Sequence, residues 1–221
     1  MLRLHHVPVC PFCRKIRVAL REKGLAAELV EVVPWDRKDE FLLLNPASEA
    51  PVLVDDDFVV ADSQAIAEYL EEAYPETTLL GRTVEQRAET RRLVAWFDSK
   101  FNREVTDLLW REKLLKRLKR SGTPSSEALR AGAANIRGHL GYIAWLFEGR
   151  RWLAGDSLTL ADITAAAHLS VLDYMGDVPW DEAPGARDWY AKMKSRPSFR
   201  PILADRIVGM KPPQHYDDPD F

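Results

Sequence analysis

The order of apolar and polar residues changes near residue 75, and the two halves of the chain predict different kinds of structure. Short apolar runs rich in β-branched residues predict strands over Leu2 to Val9 and over Ala26 to Val33. Between them, an amphipathic pattern predicts a helix from Pro11 to Lys23 that ends at Gly24. A strand, a helix and a second strand in this order indicate two parallel strands joined by a crossover.

The rest of the first half predicts a hairpin and a closing helix. Weak helical periodicity runs from Asp36 to Leu44 and stops before Asn45-Pro46. Val52 to Val54 and Phe58 to Val60 then predict a tight hairpin across a turn of three aspartates, and a helix follows from Ser63 to Ala73. This order, βαβ followed by ββα, is the one that a thioredoxin-like domain requires.

The second half shows helical periodicity only. Clusters of Gly, Pro and Ser divide it into four predicted helices: Glu85 to Arg120, Ser125 to Glu148, Thr159 to Met175 and Gly185 to Lys194. We therefore expect an α/β thioredoxin-like domain over residues 1–75, a linker over 76–84, an all-α domain over 85–206 and a C-terminal tail over 207–221.

Composition and charge narrow the class of protein. A chain of 221 residues with 46% hydrophobic content can bury a core of substantial size. The net charge of −3 lacks the basic excess of a nucleic-acid binder. No apolar stretch is long enough to cross a membrane, and the first residues show no secretory signal pattern. We expect a cytoplasmic protein without a nucleic-acid partner.

The two cysteines, Cys10 and Cys13, stand in a C-x-x-C arrangement at the head of the first predicted helix. A helix N-terminus offers unpaired N–H groups and the positive end of the macrodipole, so a cysteine there is favoured as the nucleophilic thiolate. Two cysteines cannot form a disulfide framework in a chain of this length. Their spacing indicates redox or ligand chemistry in a reducing compartment.

The histidines do not complete a metal site. A tetrahedral zinc site needs four ligands. No pair of histidines follows the two cysteines at the spacing found in zinc fingers. We therefore expect no metal and no bound cofactor. His139 and His168 fall within apolar helical patterns and are expected in the core or at an interface.

Several segments resemble the glutathione S-transferase superfamily. In the first half they are Cys10 at the head of a helix, Ala50-Pro51-Val52, and Asp62-Ser63. In the second half, Leu153 to Asp162 resembles the capping-box segment of that superfamily. In such a box Thr159 caps the N–H of Asp162, and the Asp162 carboxylate reaches back to the backbone of the cap. The resemblance implies the glutathione S-transferase fold.

The same resemblance implies a glutathione site. Pro51 is then cis, Val52 offers its N–H and C=O to the ligand's backbone, and Phe12 lies beside the ligand. Asp62 and Ser63 would hold the γ-glutamyl carboxylate at the helix N-terminus. A structural turn at Pro51 and a simple helix cap at Asp62 are the alternatives. Glutathione is thus a candidate substrate or ligand.

The resemblance also gives the cysteines a catalytic role. Cys10 would form a mixed disulfide with glutathione, and Cys13 could resolve it. The alternative is that both cysteines are small, half-buried residues at the start of a helix.

Two features are unlike an ordinary transferase. Trp35 lies in an otherwise charged loop, so it is either folded back onto the domain or held out as a binding anchor. The tail after Pro212-Pro213 combines aspartates with aromatic residues, and we expect it to form no packed element but to dock on a partner. Its candidate contact residues are Tyr216, Asp218, Asp220 and Phe221.

A cluster of cations at the end of the first long helix is a further candidate surface. It contains Lys113, Lys116, Arg117, Lys119 and Arg120. Individually, such residues cap a helix and keep it soluble. As a group, they suit an acidic partner.

The Pro34-Trp35-Asp36-Arg37 loop, the run from Trp189 to Pro201 and the ending His215 to Phe221 resemble the FzlA-type proteins of alphaproteobacteria. That resemblance implies a homodimer that binds the tubulin-like polymer FtsZ and regulates cell division at the division site. The tail would reach FtsZ and other division proteins. The alternative function is a glutathione-dependent thiol transferase that uses Cys10.

Overall fold

The computed structural model describes residues 1–218 and contains a mixed four-stranded sheet followed by a helical domain. The strands are β1 (Leu2–His6), β2 (Ala27–Glu31), β3 (Val52–Asp55) and β4 (Phe58–Ala61), in the spatial order β2-β1-β3-β4. β1 pairs in parallel with β2 and antiparallel with β3, and β3 pairs antiparallel with β4. The predicted crossover and hairpin are confirmed.

Three helices flank the sheet: α1 (Pro11–Glu22), α2 (Asp39–Leu44) and α3 (Ser63–Ala73). Pro11 occupies the first helical position of α1, where its missing N–H costs nothing. Gly24 follows the helix with a φ of 72°, a left-handed conformation that glycine adopts readily. β1 is shorter than predicted because Val7 to Cys10 leaves the sheet to enter α1.

The helical domain begins with α4 (Val84–Ala95), which continues without a break as a π-helical segment, Trp96–Leu115, and as α5 (Lys116–Lys119). Its other helices are α6 (Ser126–Glu148), α7 (Leu160–Tyr174), α8 (Pro184–Lys194) and α9 (Arg200–Leu203). Every residue of α7 is buried, so this helix forms the centre of the domain. The predicted capping box is present, because Thr159 and Asp162 bond reciprocally.

Helix α1 joins the two domains by packing on α7. Arg14 is fully buried there and donates to the carboxylate of Asp205 and to the hydroxyl of Ser170. Lys15 is also fully buried and forms an ion pair with Asp98, at 2.5 Å. The helix that carries both cysteines is therefore fixed to the helical domain by paired charges.

The tail differs from its prediction. Gln214–Asp217 forms a 3₁₀ turn, and Tyr216 is 0% exposed, with its ring 5.3 Å from that of Tyr174. Lys194 Nζ donates to the carbonyl of His215, at 2.8 Å. The expectation that the tail forms no packed element is therefore wrong for the described residues. Burial of the apolar Tyr216 ring stabilises this turn, and the Pro212-Pro213 spacer in the sequence did not indicate that burial.

Among residues 1–218, no helix is long and apolar enough to cross a membrane.

Candidate functional site

The two cysteines lie together at the head of α1. Cys10 is the N-cap residue of the helix, in an extended conformation, and Cys13 is in its first turn. Cys10 is 5% exposed and Cys13 is fully buried. The backbone N–H of Val7 donates to Cys13 Sγ, at 3.3 Å, and all three residues belong to one small apolar cluster.

The two thiols have opposite electrostatic environments. A hydrogen bond from the Cys13 thiol, together with the backbone N–H groups of Cys13 and Phe12, lowers the pKa of Cys10 despite its burial. Burial raises the pKa of Cys13 well above its ordinary value, and the neighbouring Cys10 raises it further. The local structure thus favours a thiolate at Cys10 and a thiol at Cys13.

A cleft of about 660 Å³ opens above Cys10 between the two domains. Its aromatic walls are Trp35 from the loop after β2 and Trp110 from the π-helical segment. Trp110 Nε1 donates to the carbonyl of Val9, at 2.8 Å. This hydrogen bond holds the Trp110 ring against the segment between β1 and α1. Lys119 Nζ lies 5.9 Å from the ring centroid of Trp35. Trp35 is therefore half-buried at the edge of the cleft. It is neither folded fully onto the domain nor held fully out into solvent, which were the two alternatives.

A second pocket, of about 250 Å³, contains most of the predicted glutathione-binding residues. It is lined by Phe12, Pro51, Asp62 and Ser63, and the Ala50–Pro51 peptide bond is cis, as predicted. Phe12 also lines the cleft above Cys10, so the two cavities adjoin at this side chain.

Asp62 caps α3. Its Oδ1 atom accepts from the N–H groups of Gln64 and Ala65, at 2.7 and 3.0 Å. These two donors are thereby occupied by the protein's own carboxylate rather than left open to an anion. The cap predicted as the alternative is thus present, and a ligand role for Asp62 stays a prediction.

Val52 does not line this pocket. It is the first residue of β3 and has 0% exposed surface. A contact between its N–H and C=O and a ligand stays a prediction, and the buried position of Val52 does not favour it.

The predicted basic surface is largely neutralised. Lys113 pairs with Asp177, and Lys116 pairs with Glu112 at 2.6 Å. Arg117 is exposed but donates to the carbonyl of Gly209, at 3.0 Å. Two of the five cations are therefore paired with acids: Lys116 with a residue one helical turn earlier, and Lys113 with a residue of a distant segment.

The predicted tail residues fall into three groups. Tyr216 is an internal anchor, so a direct contact between Tyr216 and a partner is wrong for this arrangement. Asp218 is exposed beyond that anchor. Asp220 and Phe221 lie outside the described residues, and their contacts stay a prediction.

No sequence pattern indicated the charged network near the site. Asp98 accepts from Lys15 and lies 3.2 Å from His168 Nε2, while His168 Nδ1 lies 2.9 Å from the hydroxyl of Thr106. Burial lowers the pKa of His168. The four residues come from three separate parts of the chain, so periodicity within one helix could not bring them together. In residues 1–218, no three metal-ligating side chains are grouped at a possible metal site.

The fold and the site define a class of protein. Family models described as "Glutathione S-transferase, N-terminal domain" and "Glutathione S-transferase, C-terminal domain" match residues 4–78 and 126–192. The chain belongs to the glutathione S-transferase family, and the predicted fold class is confirmed.

Within that family, the chain is similar to a protein of the bacterial division machinery. FtsZ-localized protein A of Caulobacter vibrioides is 51% identical to it, over 99% of this chain and 97% of the relative. The structure of FzlA from C. crescentus matches with a TM-score of 0.96 at 50% identity, covering 100% of this chain and 99% of that one. The crystal structure of a glutathione S-transferase from Rhodospirillum rubrum matches with a TM-score of 0.98 at 58% identity, covering 100% of both chains. The predicted similarity to FzlA-type proteins is confirmed.

Proposed function

We propose that this protein binds FtsZ polymers and regulates cell division, in the cytoplasm at the division site. The observation that carries the proposal is the similarity to FtsZ-localized protein A, which extends over nearly the whole of both chains. A glutathione S-transferase fold alone would not suggest this partner, because one fold supports many functions.

The mouth of the interdomain cleft is the first surface that we assign to FtsZ. Trp35 combines a partly exposed aromatic ring with the neighbouring Lys119 cation. Half-buried tryptophans of this kind are frequent binding hot spots, because they are already ordered and still offer a large apolar surface.

The end of the chain is the second surface. Tyr216 fixes the 3₁₀ turn on the helical domain, and Asp218 follows this turn at the surface. Exposed Asp218 carries negative charge that can steer a partner. Anchoring reduces the entropy that a wholly disordered tail would lose on binding.

Co-sedimentation tests the proposal. The purified full chain is centrifuged with polymerised FtsZ and, separately, with unpolymerised FtsZ. We expect it in the pellet only with polymer. Asp218→Lys should reduce the pelleted fraction, whereas Asp156→Lys, the same charge reversal in the exposed loop before α7, should not. A wild-type chain that stays in the supernatant with polymerised FtsZ would overturn the proposal.

We also propose that the protein is a homodimer. Two large apolar side chains on separate elements are exposed in the single chain: Phe58, at 53%, and Trp145, at 63%. Phe58 lies against Tyr69, with ring centroids 5.0 Å apart, and Trp145 stacks on Tyr142. Paired aromatic rings that remain partly exposed offer ordered apolar surface, which supports a contact with a second copy of the chain. Sedimentation equilibrium should give twice the chain mass, and a monomer at every concentration would contradict the dimer.

A further inference from the structure

The sheet has an open edge at β2. This strand stands at one end of the strand order, so one side of it pairs with no strand in residues 1–218. Val32, just after β2, donates its N–H to the carbonyl of His6 on β1, at 3.0 Å. Because backbone groups alternate along a strand, Ala27, Leu29 and Glu31 direct their N–H and C=O groups to the open side. An edge of this kind can pair with a further strand.

A groove of about 440 Å³ lies beside this edge. Ala27 and Leu29 line one side of it, and Pro197, Pro201 and Ile202 line the other. Leu29 is 46% exposed, so it offers apolar surface at the groove. Because residues 197–202 form the opposite wall, the space beside β2 suits a single extended chain rather than the sheet of a second copy.

The charge at the groove is positive. Arg21, from the last turn of α1, is exposed at the groove and forms no ion pair with an acid of residues 1–218. The nearby carboxylates are already paired, Asp205 with Arg17 and Glu22 with Arg196. A carboxylate of a ligand would therefore meet an uncompensated cation at Arg21.

We propose that the β2 edge binds an extended peptide of a partner protein, with apolar residues at alternate positions and an acid at one end. The peptide backbone would pair with the outward N–H and C=O groups of β2. Its alternate apolar side chains would share one face and enter the groove beside Leu29. Its acid would lie near Arg21 rather than near exposed Glu31, at the other end of the strand.

This groove shares no lining residue with the interdomain cleft or with the tail. The proposal therefore goes beyond binding to FtsZ and does not depend on it.

Fluorescence anisotropy with the full chain tests the proposal. Two labelled peptides, each two residues longer than β2, carry valine at every second position and threonine between. An aspartate replaces the first valine in one peptide and the last valine in the other. We expect saturable binding of at least one peptide, with a dissociation constant below about 1 mM, and no binding once its backbone nitrogens are methylated. No saturable binding of either peptide, or equal binding of the methylated one, would overturn the proposal.

Substitutions in the groove locate the bound peptide. Leu29→Asp should weaken binding at least about tenfold, whereas Leu43→Asp, the same change at an exposed leucine of α2, should not. Arg21→Ala should weaken binding about threefold, as an exposed ion pair does, whereas Arg130→Ala on α6 should not. Equal effects of a change and its control would contradict the assignment. Thermal unfolding checks that the variants fold, and the methylated peptide tests the wild-type chain without them.

Sedimentation equilibrium of Leu29→Asp tests the other occupant, a second copy of this chain. A mass unchanged from wild type, together with weaker peptide binding, supports a partner's peptide. A lower mass would mean that the edge pairs with a second copy and would overturn the proposal. Because no FtsZ is present, failure of these tests and failure of the FtsZ proposal are distinguishable.

Discussion

Trp35 is the side chain at which the binding proposal can be tested most locally. Trp35→Ala should reduce co-sedimentation with FtsZ at least about tenfold, because central aromatic anchors carry about 2 kcal/mol or more. The free energy of unfolding should change by less than about 1 kcal/mol, since Trp35 is only half-buried.

Val84→Ala is the control, because it removes apolar surface from an exposed side chain of α4 that belongs to neither proposed surface. It should leave binding to FtsZ unchanged, with its dimer state measured alongside. A large loss of stability in Trp35→Ala would instead make Trp35 a packing residue of the domain.

His6 gives a prediction about pH. Burial, with Arg17 nearby, lowers the pKa of His6 from 6.5 to about 4. The unfolded chain therefore binds more protons between these values, and the free energy of unfolding falls as the pH falls through this range. His6→Gln should remove the contribution of His6 to that fall, about 3 kcal/mol between neutral pH and about pH 4.

The comparison is made by urea unfolding of both proteins across that range. The other histidines are present in both chains, so their contributions cancel in the difference. If the free energy of unfolding depends equally on pH in the two proteins, the pKa of His6 is the same in the folded and unfolded chain.

At the scale of elements, the N-terminus of α7 depends on one buried carboxylate. Asp162 accepts from the N–H of Leu153, from Trp189 Nε1 and from both the N–H and the hydroxyl of Thr159. Asp162→Ala should lower the free energy of unfolding by about 3 kcal/mol or more, because buried donors lose a charged partner.

The capping box of α4 is the control for this change. Thr83 and Gln86 bond reciprocally in the same way but on the surface. Gln86→Ala should cost about 1 kcal/mol, as an exposed cap does. Equal losses at the two boxes, measured by urea unfolding, would contradict the special role of the buried carboxylate.

The tail gives the second prediction at this scale. Tyr216→Ala should lower the free energy of unfolding by about 3 kcal/mol, because it empties a fully buried site beside Tyr174. Tyr216→Phe keeps the ring and should cost about 1 kcal/mol or less. Deletion of residues 214–221 should destabilise the protein at least as much as Tyr216→Ala. A truncated chain with wild-type stability in thermal unfolding would contradict the anchor.

Patterns within single elements predicted most of the architecture. The helix Ser63–Ala73 and the hairpin from Val52 were found because their periodicity is local. The π-helical geometry of Trp96–Leu115 was not found, since side-chain periodicity does not reveal which backbone carbonyl each N–H contacts.

Contacts between distant elements account for what the sequence did not predict. The burial of Lys15 depends on Asp98, and that of Tyr216 depends on Tyr174. The site was predicted where a short motif carries the chemistry, as at Cys10 and Cys13. Its aromatic wall at Trp110 was not predicted, because that residue joins the site only through the packing of the two domains.

In the whole molecule, one interdomain cleft contains both Trp35, which is assigned to the proposed binding of FtsZ, and the thiol of Cys10. The same fold holds both, because α1 packs on α7 and is fixed to the helical domain by the ion pairs of Arg14 with Asp205 and of Lys15 with Asp98. Division should depend on Trp35 and not on the thiol.

Cell length in a strain with a single copy of the gene tests this separation most directly. The gene is deleted and replaced by wild type, by the double variant Cys10→Ser/Cys13→Ser or by Trp35→Ala, at equal protein levels. We predict that the deletion strain forms long cells, that the thiol-free variant restores wild-type length, and that Trp35→Ala does not. A deletion strain of normal length, or a thiol-free strain as long as the deletion strain, would contradict the account.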